Sequence, residues 1–220
     1  MPSALVTGAN RGIGLALVKA LVAQGTSVIG ACRSPSSELQ ATGARIEALD
    51  VTSEASCADL GRRLDGQRLD LLVHNAGILR GESIDSLDPD GMLQQLAVNS
   101  VGPLRLTRHL LPHLADRTKI VIVTSRMGSI ADNDSGGAYG YRMSKAAVNA
   151  AGRSLAIDLA PRGIAVGLVH PGWVRTDMTG GRGHVTAEQS AAGIVDRIGG
   201  LTRATSGTFW HAITGEELPW

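Results

Sequence analysis

The chain has 220 residues and a formal net charge of +1, because 21 Lys and Arg residues balance 20 Asp and Glu residues. This length predicts a single domain, residues 1–220, with a complete hydrophobic core. The charges form no basic or acidic block, which argues against nucleic acid or a charged membrane surface as a partner.

The two cysteines, Cys32 and Cys57, show no Cys-x-x-Cys or other metal-like spacing, which favours a reducing compartment. His109 and His113 lie four residues apart, but Pro112 interrupts the turn and no carboxylate completes a metal site. We therefore predict a solvated helix end here and no metal. The chain begins with a strand pattern rather than a leader, and no apolar run approaches the ~20 residues that cross a bilayer. We expect a cytoplasmic protein that does not enter membranes.

The first predicted element is a buried strand, Ser3–Thr7, which is followed by a glycine-rich turn and by the apolar helix pattern of residues 15–22. A strand, a glycine turn and a helix in this order form the setting in which main-chain N–H groups bind a pyrophosphate. The alternative is a glycine turn that serves only the fold. The candidate cofactor-binding residues of this turn are Gly8, Asn10, Arg11, Gly12, Ile13 and Gly14.

The second predicted strand, residues 26–32, ends at Arg33 rather than at the acidic residue that would bind the ribose 2′-hydroxyl of NAD. An arginine at this position can instead pair with a 2′-phosphate, and Arg11 in the glycine turn could be a second contact. The alternative is that both arginines are solvated surface residues. Because the acidic residue is missing, we predict that NADP(H) is favoured over NAD(H).

Strand patterns alternate with helix patterns along the rest of the chain. The strands are expected at residues 44–49, 69–73, 118–124, 164–169 and 207–211, and the helices at residues 53–64, 89–114, 139–160 and 187–198. This alternation predicts an α/β fold with three layers, in which a doubly wound parallel sheet of about seven strands lies between two layers of helices.

Ligands of such sheets bind at the carboxyl ends of the strands. The sequence places Asp50 and Val51 after the third predicted strand, and Asn75, Ala76 and Gly77 after the fourth. We expect these residues to lie at the same edge of the sheet as the glycine turn, where they would extend the cofactor site.

The stretch from Tyr139 to Lys145 opens an Ala-rich helix pattern and contains both tyrosines of the chain. Tyr141 and Lys145 lie four residues apart, so their Cβ atoms would be roughly 5–6 Å apart on one helix face. A positive charge near a phenol favours the phenolate, and it lowers the pKa of the tyrosine towards a value at which a proton is readily transferred. The alternative is an ordinary surface pair.

Asn99 lies inside the long helix pattern of residues 89–114, close to Gly102 and Pro103. These residue types disfavour a regular helix, so we expect the segment to have a role that offsets this cost. A plain core amide is the alternative role for Asn99.

Taken in order, these motifs resemble the short-chain dehydrogenase/reductase family, whose domain is a Rossmann fold. Residues 7–14 match the cofactor loop of that family, and residues 75–77 match the motif after its fourth strand. Residues 124–130, 141–147 and 218–220 resemble, more narrowly, the C-factor and sniffer-like carbonyl reductases. The family's catalytic tetrad corresponds to Asn99, Ser125, Tyr141 and Lys145, and its nicotinamide-binding segment corresponds to Pro171, Gly172, Val174 and Thr176.

The resemblance implies NADPH-dependent reduction of a ketone or an aldehyde. Tyr141 would donate its phenolic proton to the carbonyl oxygen, while Lys145 would lower the pKa of that tyrosine and bind the nicotinamide ribose. Ser125 would hold the carbonyl oxygen, and Asn99 would position a water that connects Lys145 with solvent. The candidate substrate contacts are Ser125, Met127, Tyr139, Tyr141 and Trp173, with a helix-cap tyrosine and a core tryptophan as the alternatives for Tyr139 and Trp173.

Two features depart from the commonest family pattern. His74 stands where the family most often has an asparagine, and the stretch from Ser125 to Tyr141 is a few residues longer than usual. We expect residues 126–138 to form one wall of the substrate pocket. The short segment of residues 177–186 implies an open, permissive site.

Members of the family commonly pair through two long helices, here residues 89–114 and 139–160, which implies a homodimer or a homotetramer. Two other functions stay open. A dinucleotide-binding regulatory protein of the C-factor type would show little turnover, although it would need no proton relay at Tyr141. A methyltransferase with a similar sheet would require an acidic residue near Cys32, where the sequence has none.

Overall fold

The computed structural model describes all 220 residues, Met1–Trp220. Its seven strands are β1 (Ser3–Thr7), β2 (Ser27–Cys32), β3 (Arg45–Ala48), β4 (Leu69–His74), β5 (Leu114–Val123), β6 (Ala165–His170) and β7 (Phe209–His211). They form one sheet in the order β3-β2-β1-β4-β5-β6-β7, and every neighbouring pair is parallel. The predicted seven-stranded parallel sheet is therefore confirmed.

Seven α-helices connect and cover the strands. They are α1 (Gly12–Ala23), α2 (Ser37–Gln40), α3 (Glu54–Arg63), α4 (Pro89–Leu96), α5 (Gly102–Leu110), α6 (Tyr139–Asp158) and α7 (Ala187–Gly200). Helix α2 was not predicted from the sequence. It is a single turn that begins where the Ser36 side chain accepts a hydrogen bond from the N–H of Leu39. None of the helices combines the length and the apolar character that crossing a bilayer requires.

The two faces of the sheet are covered by different helices, because successive side chains of a strand point in opposite directions. Ala4 and Val6 pack in a cluster with α1 and α7, whereas Leu5 between them packs in a second cluster with α3, α5 and α6. Both clusters consist almost entirely of aliphatic side chains. The result is the predicted three-layer arrangement, in which both faces of a parallel sheet are buried.

The strand order reverses beside β1, which lies between β2 and β4. The chain winds from β1 towards β3 in one direction and from β4 towards β7 in the other. A crevice forms at the carboxyl ends of the strands at such a switch point, and ligands of doubly wound sheets bind there. This topology brings the ends of β1 and β4 together as the floor of a site.

The prediction of one long helix over residues 89–114 is wrong in two places. It is interrupted by a π-helical turn at Ala97–Val101, between α4 and α5, and its last residues form a 3₁₀ turn at Leu111–His113. Pro103 lies in the first turn of α5, where its missing N–H costs nothing. Leu114 belongs to β5, which therefore begins four residues before the predicted strand.

Candidate active site

A cleft of about 1080 Å³ lies over the carboxyl ends of β1, β2 and β4, at the predicted edge of the sheet. Its lining contains most of the predicted cofactor residues: Gly8, Asn10, Arg11, Gly12, Ile13, Arg33, Asp50, Val51, Asn75, Ala76, Gly77, Tyr141, Lys145, Pro171 and Thr176. Gly14, Gly172 and Val174 do not line it. The cleft thus joins residues from both halves of the chain in a single elongated site.

The glycine turn between β1 and α1 has no room for a side chain at Gly8 or at Gly14. Gly8 has a φ of +65°, and a Cβ atom on it would lie 2.9 Å from Cα of Ala76. A Cβ on Gly14 would lie 2.1 Å from the main-chain oxygen of Gly8, so Gly14 shapes the turn rather than facing the cleft. The Nδ2 of Asn75 donates to the main-chain oxygens of Thr7 and Gly8 and fixes the turn against the end of β4.

This turn suits the diphosphate of a dinucleotide. The residue before α1, Arg11, forms no side-chain cap on the helix, which leaves the first N–H groups of α1 available to an anion. Glycines at the turn let such a group approach the main chain closely. The residues present therefore fit a bound dinucleotide.

The two arginines expected near a 2′-phosphate differ in their surroundings. Arg33 is exposed, lines the cleft and takes part in none of the ion pairs of the protein. Arg11 donates instead to Oδ2 of Asp177 at 2.9 Å, in an exposed ion pair between the glycine turn and the loop after β6. Arg33 is therefore the arginine whose guanidinium is free for a phosphate.

Asp50, after β3, uses its carboxylate within its own loop. Its Oδ1 accepts hydrogen bonds from the N–H and the hydroxyl of Thr52 at 2.9 and 2.6 Å. These bonds lower the pKa of Asp50 below its usual range, and the nearby charge of Arg33 adds to this effect. The carboxylate stays ionised, and its bonds to Thr52 stabilise the loop after β3 beside the cleft.

Tyr141 and Lys145 both lie buried in the first two turns of α6. The Nζ of Lys145 donates to the main-chain oxygen of Val123 at 3.0 Å, at the end of β5, and lies 5.6 Å from the centre of the Tyr141 ring. Tyr141 and Lys145 are therefore not an ordinary surface pair, which was the alternative considered from the sequence. Because Lys145 is fixed by β5, helix α6 has a set position on the end of that strand.

The pKa values of this pair are governed by burial. Burial raises the pKa of the Tyr141 phenol to about 12, and a hydrogen bond with Ser125 opposes this shift in part. Burial also lowers the pKa of the Lys145 ammonium to about 8. The rise in the pKa of Tyr141 is opposite to the lowering expected from its spacing to Lys145. Desolvation of the phenol is the largest cause, and the opposing cause is the hydrogen bond with Ser125.

Asn99 lies in the π-helical turn Ala97–Val101 and is buried. Its Oδ1 accepts from the N–H of Ile78, and its Nδ2 donates to the main-chain oxygen of Ile78 and to Oγ of Ser144, each at 2.9 Å. It therefore links the loop after β4 to helix α6. A π turn replaces the regular helix that Asn99, Gly102 and Pro103 disfavour, and the amide of Asn99 joins two parts of the site.

Ser125 follows β5 and is buried. Its Oγ accepts from the N–H of Met127 at 3.2 Å and begins the 3₁₀ turn Arg126–Gly128. This turn packs directly on α6, since a Cβ on Gly128 would lie 2.7 Å from the main-chain carbon of Lys145. The strand end and the helix are thereby held so that Ser125 is within hydrogen-bonding reach of Tyr141.

The two aromatic side chains proposed for the substrate wall have different environments. Trp173 is 50% exposed, so it is not a core tryptophan. The centres of the Trp173 and His184 rings are 4.8 Å apart, and the two rings are nearly perpendicular. Tyr139 is half-buried at the first position of α6, and the residue before it, Ala138, supplies no side-chain cap to this helix end. Their contact with substrate stays a prediction, as does that of the half-buried Met127.

The two histidines considered for a metal site point to different partners. His109 Nε2 contacts Oε1 of Glu54 at 2.6 Å, whereas His113 Nδ1 contacts the main-chain oxygen of Gln67 at 3.3 Å. His113 is buried, so the predicted solvated helix end is wrong for this residue. The 3₁₀ turn that contains His113 folds inward to begin β5, which explains the burial.

Several residues of the cleft were not predicted from the sequence. They are Ile78, Arg80, Gln94, Ala97, Val98, Arg175, Asp177 and Met178, in addition to residues beside the strand ends. Ile78, Ala97 and Val98 are immediate neighbours of predicted motifs, so their position in the chain was an available signal. Arg80 and Gln94 are 14 residues apart in the chain, and folding brings them into contact. Nη2 of Arg80 donates to Oε1 of Gln94 at 2.7 Å.

Comparisons with known proteins agree with this geometry. The sequence profile described as short chain dehydrogenase matches residues 2–186. The chain is 42% identical over 227 residues to 1-hydroxy-2-glutathionyl-2-methyl-3-butene dehydrogenase of Rhodococcus sp. (strain AD45), with all of both chains covered. It is also 43% identical over 155 residues to C-signal of Myxococcus xanthus, which covers 69% of this chain and 93% of that protein.

Two solved structures match the fold over the whole chain. The NADPH-bound carbonyl reductase from chicken fatty liver is 34% identical, with a TM-score of 0.90 and coverage of 100% of this chain and 99% of that one. The carbonyl reductase Sniffer of D. melanogaster is 33% identical, with a TM-score of 0.93 and full coverage of both chains. The chain therefore belongs to the short-chain dehydrogenase family.

Proposed function

We propose that this protein is an NADPH-dependent reductase that converts the carbonyl group of a ketone or an aldehyde to an alcohol. The observation that supports this most strongly is that Tyr141 and Lys145 line a dinucleotide-sized cleft, with Ser125 in hydrogen-bonding reach of Tyr141. Asn99 is bonded to Ser144, next to Lys145 in the chain. Chemistry of this kind requires a proton donor, a group that holds the substrate oxygen and a cofactor site in contact with both. The chain supplies all three.

NADP(H) is the cofactor that the site suits best. When bound, it supplies the hydride that reduces the carbonyl carbon. The glycine turn and the start of α1 would hold its diphosphate, and the free guanidinium of Arg33 would hold its 2′-phosphate. The NADPH-bound relative and the absence of an acidic residue after β2 both support this preference over NAD(H).

Tyr141 is the proposed general acid. A phenol with a pKa of about 12 holds its proton at neutral pH, so it is in the form that donates to a carbonyl oxygen. Ser125, hydrogen-bonded to Tyr141, would donate to the same oxygen and stabilise the negative charge that develops there. Burial of both groups strengthens these interactions, since little water screens them.

We assign Lys145 the role of restoring the proton that Tyr141 loses. A pKa of about 8 allows its ammonium group to release or accept a proton near neutral pH. The side-chain amide of Asn99 is occupied by bonds to Ile78 and Ser144. We therefore assign Asn99 the role of a brace for the loop after β4 and for α6, rather than that of a water ligand through its side chain.

A second candidate is the reverse reaction on a larger alcohol. The Rhodococcus relative, whose name describes dehydrogenation of an alcohol with a glutathionyl group, matches the whole chain. The substrate side is open here, since Trp173 is half exposed and the segment after β6 forms only a short 3₁₀ turn at Asp177–Thr179. Such an opening would leave room for a bulky thiol-linked substituent.

The test is the loss of NADPH absorbance with a panel of ketones, aldehydes and quinones, with NADH in parallel and with glutathionyl alcohols plus NADP⁺ as the reverse assay. Turnover of several carbonyls with NADPH is the expected result. Turnover only in the reverse assay would favour the second candidate. Tight NADPH binding with no turnover in either assay would favour a regulatory protein.

A further inference from the structure

Helix α6, which contains Tyr141 and Lys145, begins without a side-chain cap of its own. The residue before its first turn is Ala138, which has a φ of +47° and no polar side chain. The first N–H groups of a helix have no partner within the helix, and a buried N–H group that stays unpaired is costly. The start of α6 therefore needs a partner from another part of the chain.

Glu82, in the loop between β4 and α4, is that partner. Its Oε2 accepts from the N–H of Gly140 at 3.2 Å, and its main-chain oxygen accepts from the N–H of Ala138 at 2.8 Å. The side chain is buried, with 7% of its surface exposed. A carboxylate at the positive end of a helix is favourable both as a hydrogen-bond acceptor and as a charge.

The second carboxylate oxygen of Glu82 is bonded as well. Oε1 accepts from Nε2 of Gln95 at 2.6 Å, and Oε1 of the fully buried Gln95 accepts from the N–H of Arg80 at 2.9 Å. The carboxylate is therefore fixed from two sides. These hydrogen bonds therefore join three segments: the loop after β4, helix α4 and the start of α6.

Gly140 makes the network possible, because it lets α6 pass very close to α4. A Cβ atom at this position would lie 2.5 Å from Nε2 of Gln95 and 2.9 Å from Cα of Met92. The absence of a side chain brings the N–H of Gly140 within reach of Glu82. The next residue in the chain is Tyr141, so a shift of this turn displaces the phenol.

We propose that Glu82 is a positioning residue, which caps α6 from a distant loop and thereby holds Tyr141 in place for proton transfer. This inference rests on the proposed function. The following turn of α6 is held separately, since Nζ of Lys145 donates to Val123 and Oγ of Ser100 donates to the main-chain oxygen of Ser144. Loss of Glu82 therefore loosens the turn of Tyr141 while Lys145 keeps its place.

The test compares Glu82→Ala and Glu82→Gln with Asp85→Asn, which removes an exposed carboxylate three residues away in the same loop. We expect Glu82→Ala to lower kcat roughly ten- to a hundredfold, since displacement of a reacting group by about 1 Å can cost that much. NADPH affinity should stay within about twofold, because Lys145 and the glycine turn are untouched. The kcat of Glu82→Gln should lie between those of Glu82→Ala and the wild type, since an amide keeps only one of the two acceptor oxygens.

Amide hydrogen exchange of residues 139–141 is measured on the same proteins. Faster exchange confined to this turn, together with the loss of kcat, supports the inference. If Glu82→Ala matches Asp85→Asn in kcat, or if only exchange changes, the positioning role is overturned. Should Glu82→Ala not fold, Gln95→Met removes one bond to Glu82 and is judged by the same two readouts.

The assays also separate this inference from the proposed function. If the wild-type protein reduces no carbonyl, the proposed function fails, and exchange in residues 139–141 alone then decides whether Glu82 anchors α6. Unchanged exchange in both Glu82 variants would overturn the anchoring itself.

Discussion

The side chains of Asn99 and Ser144 are joined by a hydrogen bond of 2.9 Å from Nδ2 to Oγ, and the Ser144 hydroxyl in turn donates to the main-chain oxygen of Tyr141 at 2.8 Å. Ser144 has no exposed surface. Two residues of the proposed tetrad that lie far apart in sequence are thus linked through a residue that contacts neither substrate nor cofactor in the proposed mechanism.

This link predicts a stability effect at Ser144. Ser144→Ala removes the bond to Tyr141 and one of the two acceptors of Asn99, so the free energy of unfolding should fall by about 1–3 kcal/mol. Urea denaturation measures this loss. Ser154→Ala, an exposed position on the same helix, is the control and should be nearly neutral. Equal stability of the two variants would show that the link contributes nothing.

Cofactor preference is predicted to depend on Arg33. Arg33→Asp removes a charged partner of the 2′-phosphate and adds a like charge, so NADPH affinity should fall roughly ten- to a hundredfold while NADH affinity changes little. Fluorescence titration with both cofactors measures the ratio. Arg11→Ala is the matched variant, and its effect should be smaller because Arg11 is already paired with Asp177. An unchanged preference in Arg33→Asp would make Arg33 an ordinary surface residue.

The buried His74 and the half-buried His170 predict a loss of stability in mild acid. Burial lowers the pKa of both His74 and His170 to about 3, whereas their value in the unfolded chain is near 6.5. Between these values the unfolded state binds more protons, so the free energy of unfolding falls as the pH drops below about 6.5. Each histidine contributes a loss of up to about 1.4 kcal/mol for each pH unit.

Chemical denaturation between neutral pH and mild acid measures this slope. His74 Nε2 contacts only Oγ1 of Thr107 at 2.8 Å, so His74→Asn should reduce the slope. The exposed His184→Asn is the control and should leave it unchanged. A slope in His74→Asn that equals that of the wild type would contradict the assignment of acid sensitivity to this residue.

Assembly with a second copy is expected through α4 and α6. Leu93 on α4 and Ile157 on α6 are 64% and 61% exposed, which is unusual for large apolar side chains on adjoining helices. The double variant Leu93→Glu, Ile157→Glu should shift a dimer or tetramer to monomer in light scattering. Ile84→Glu, at an equally exposed apolar residue outside these helices, should not. A wild-type protein that is already monomeric would refute this expectation.

Local patterns were sufficient to predict the sheet and the main motifs of the site. The glycine turn and the Tyr141–Lys145 spacing each depend on residues close together in the chain, and the alternation of strands and helices then fixes which ends meet. The residue types around Asn99 disfavour a regular helix, but the helix predicted for residues 89–114 had no interruption, and the π turn was not predicted. Its place depends on where the amide of Asn99 meets Ile78 and Ser144.

Contacts between distant residues could not be predicted in this way. Arg11 and Asp177 are 166 residues apart, and their ion pair follows only from the meeting of two loops. The pKa of Tyr141 rises rather than falls because the fold buries the phenol, and this burial does not follow from the spacing of Tyr141 and Lys145. Glu82 shows no helix-cap signal in sequence, since the helix it caps begins far along the chain.

The proposed reaction depends most directly on Tyr141 as the proton donor, and kcat of Tyr141→Phe on a carbonyl that the wild type reduces is the decisive measurement. The variant keeps the ring and its packing but has no proton to give, so kcat should fall by at least about 10²-fold. NADPH affinity should be nearly unchanged, because Lys145, Arg33 and the glycine turn remain. A kcat within a few fold of the wild-type value would show that another group donates the proton.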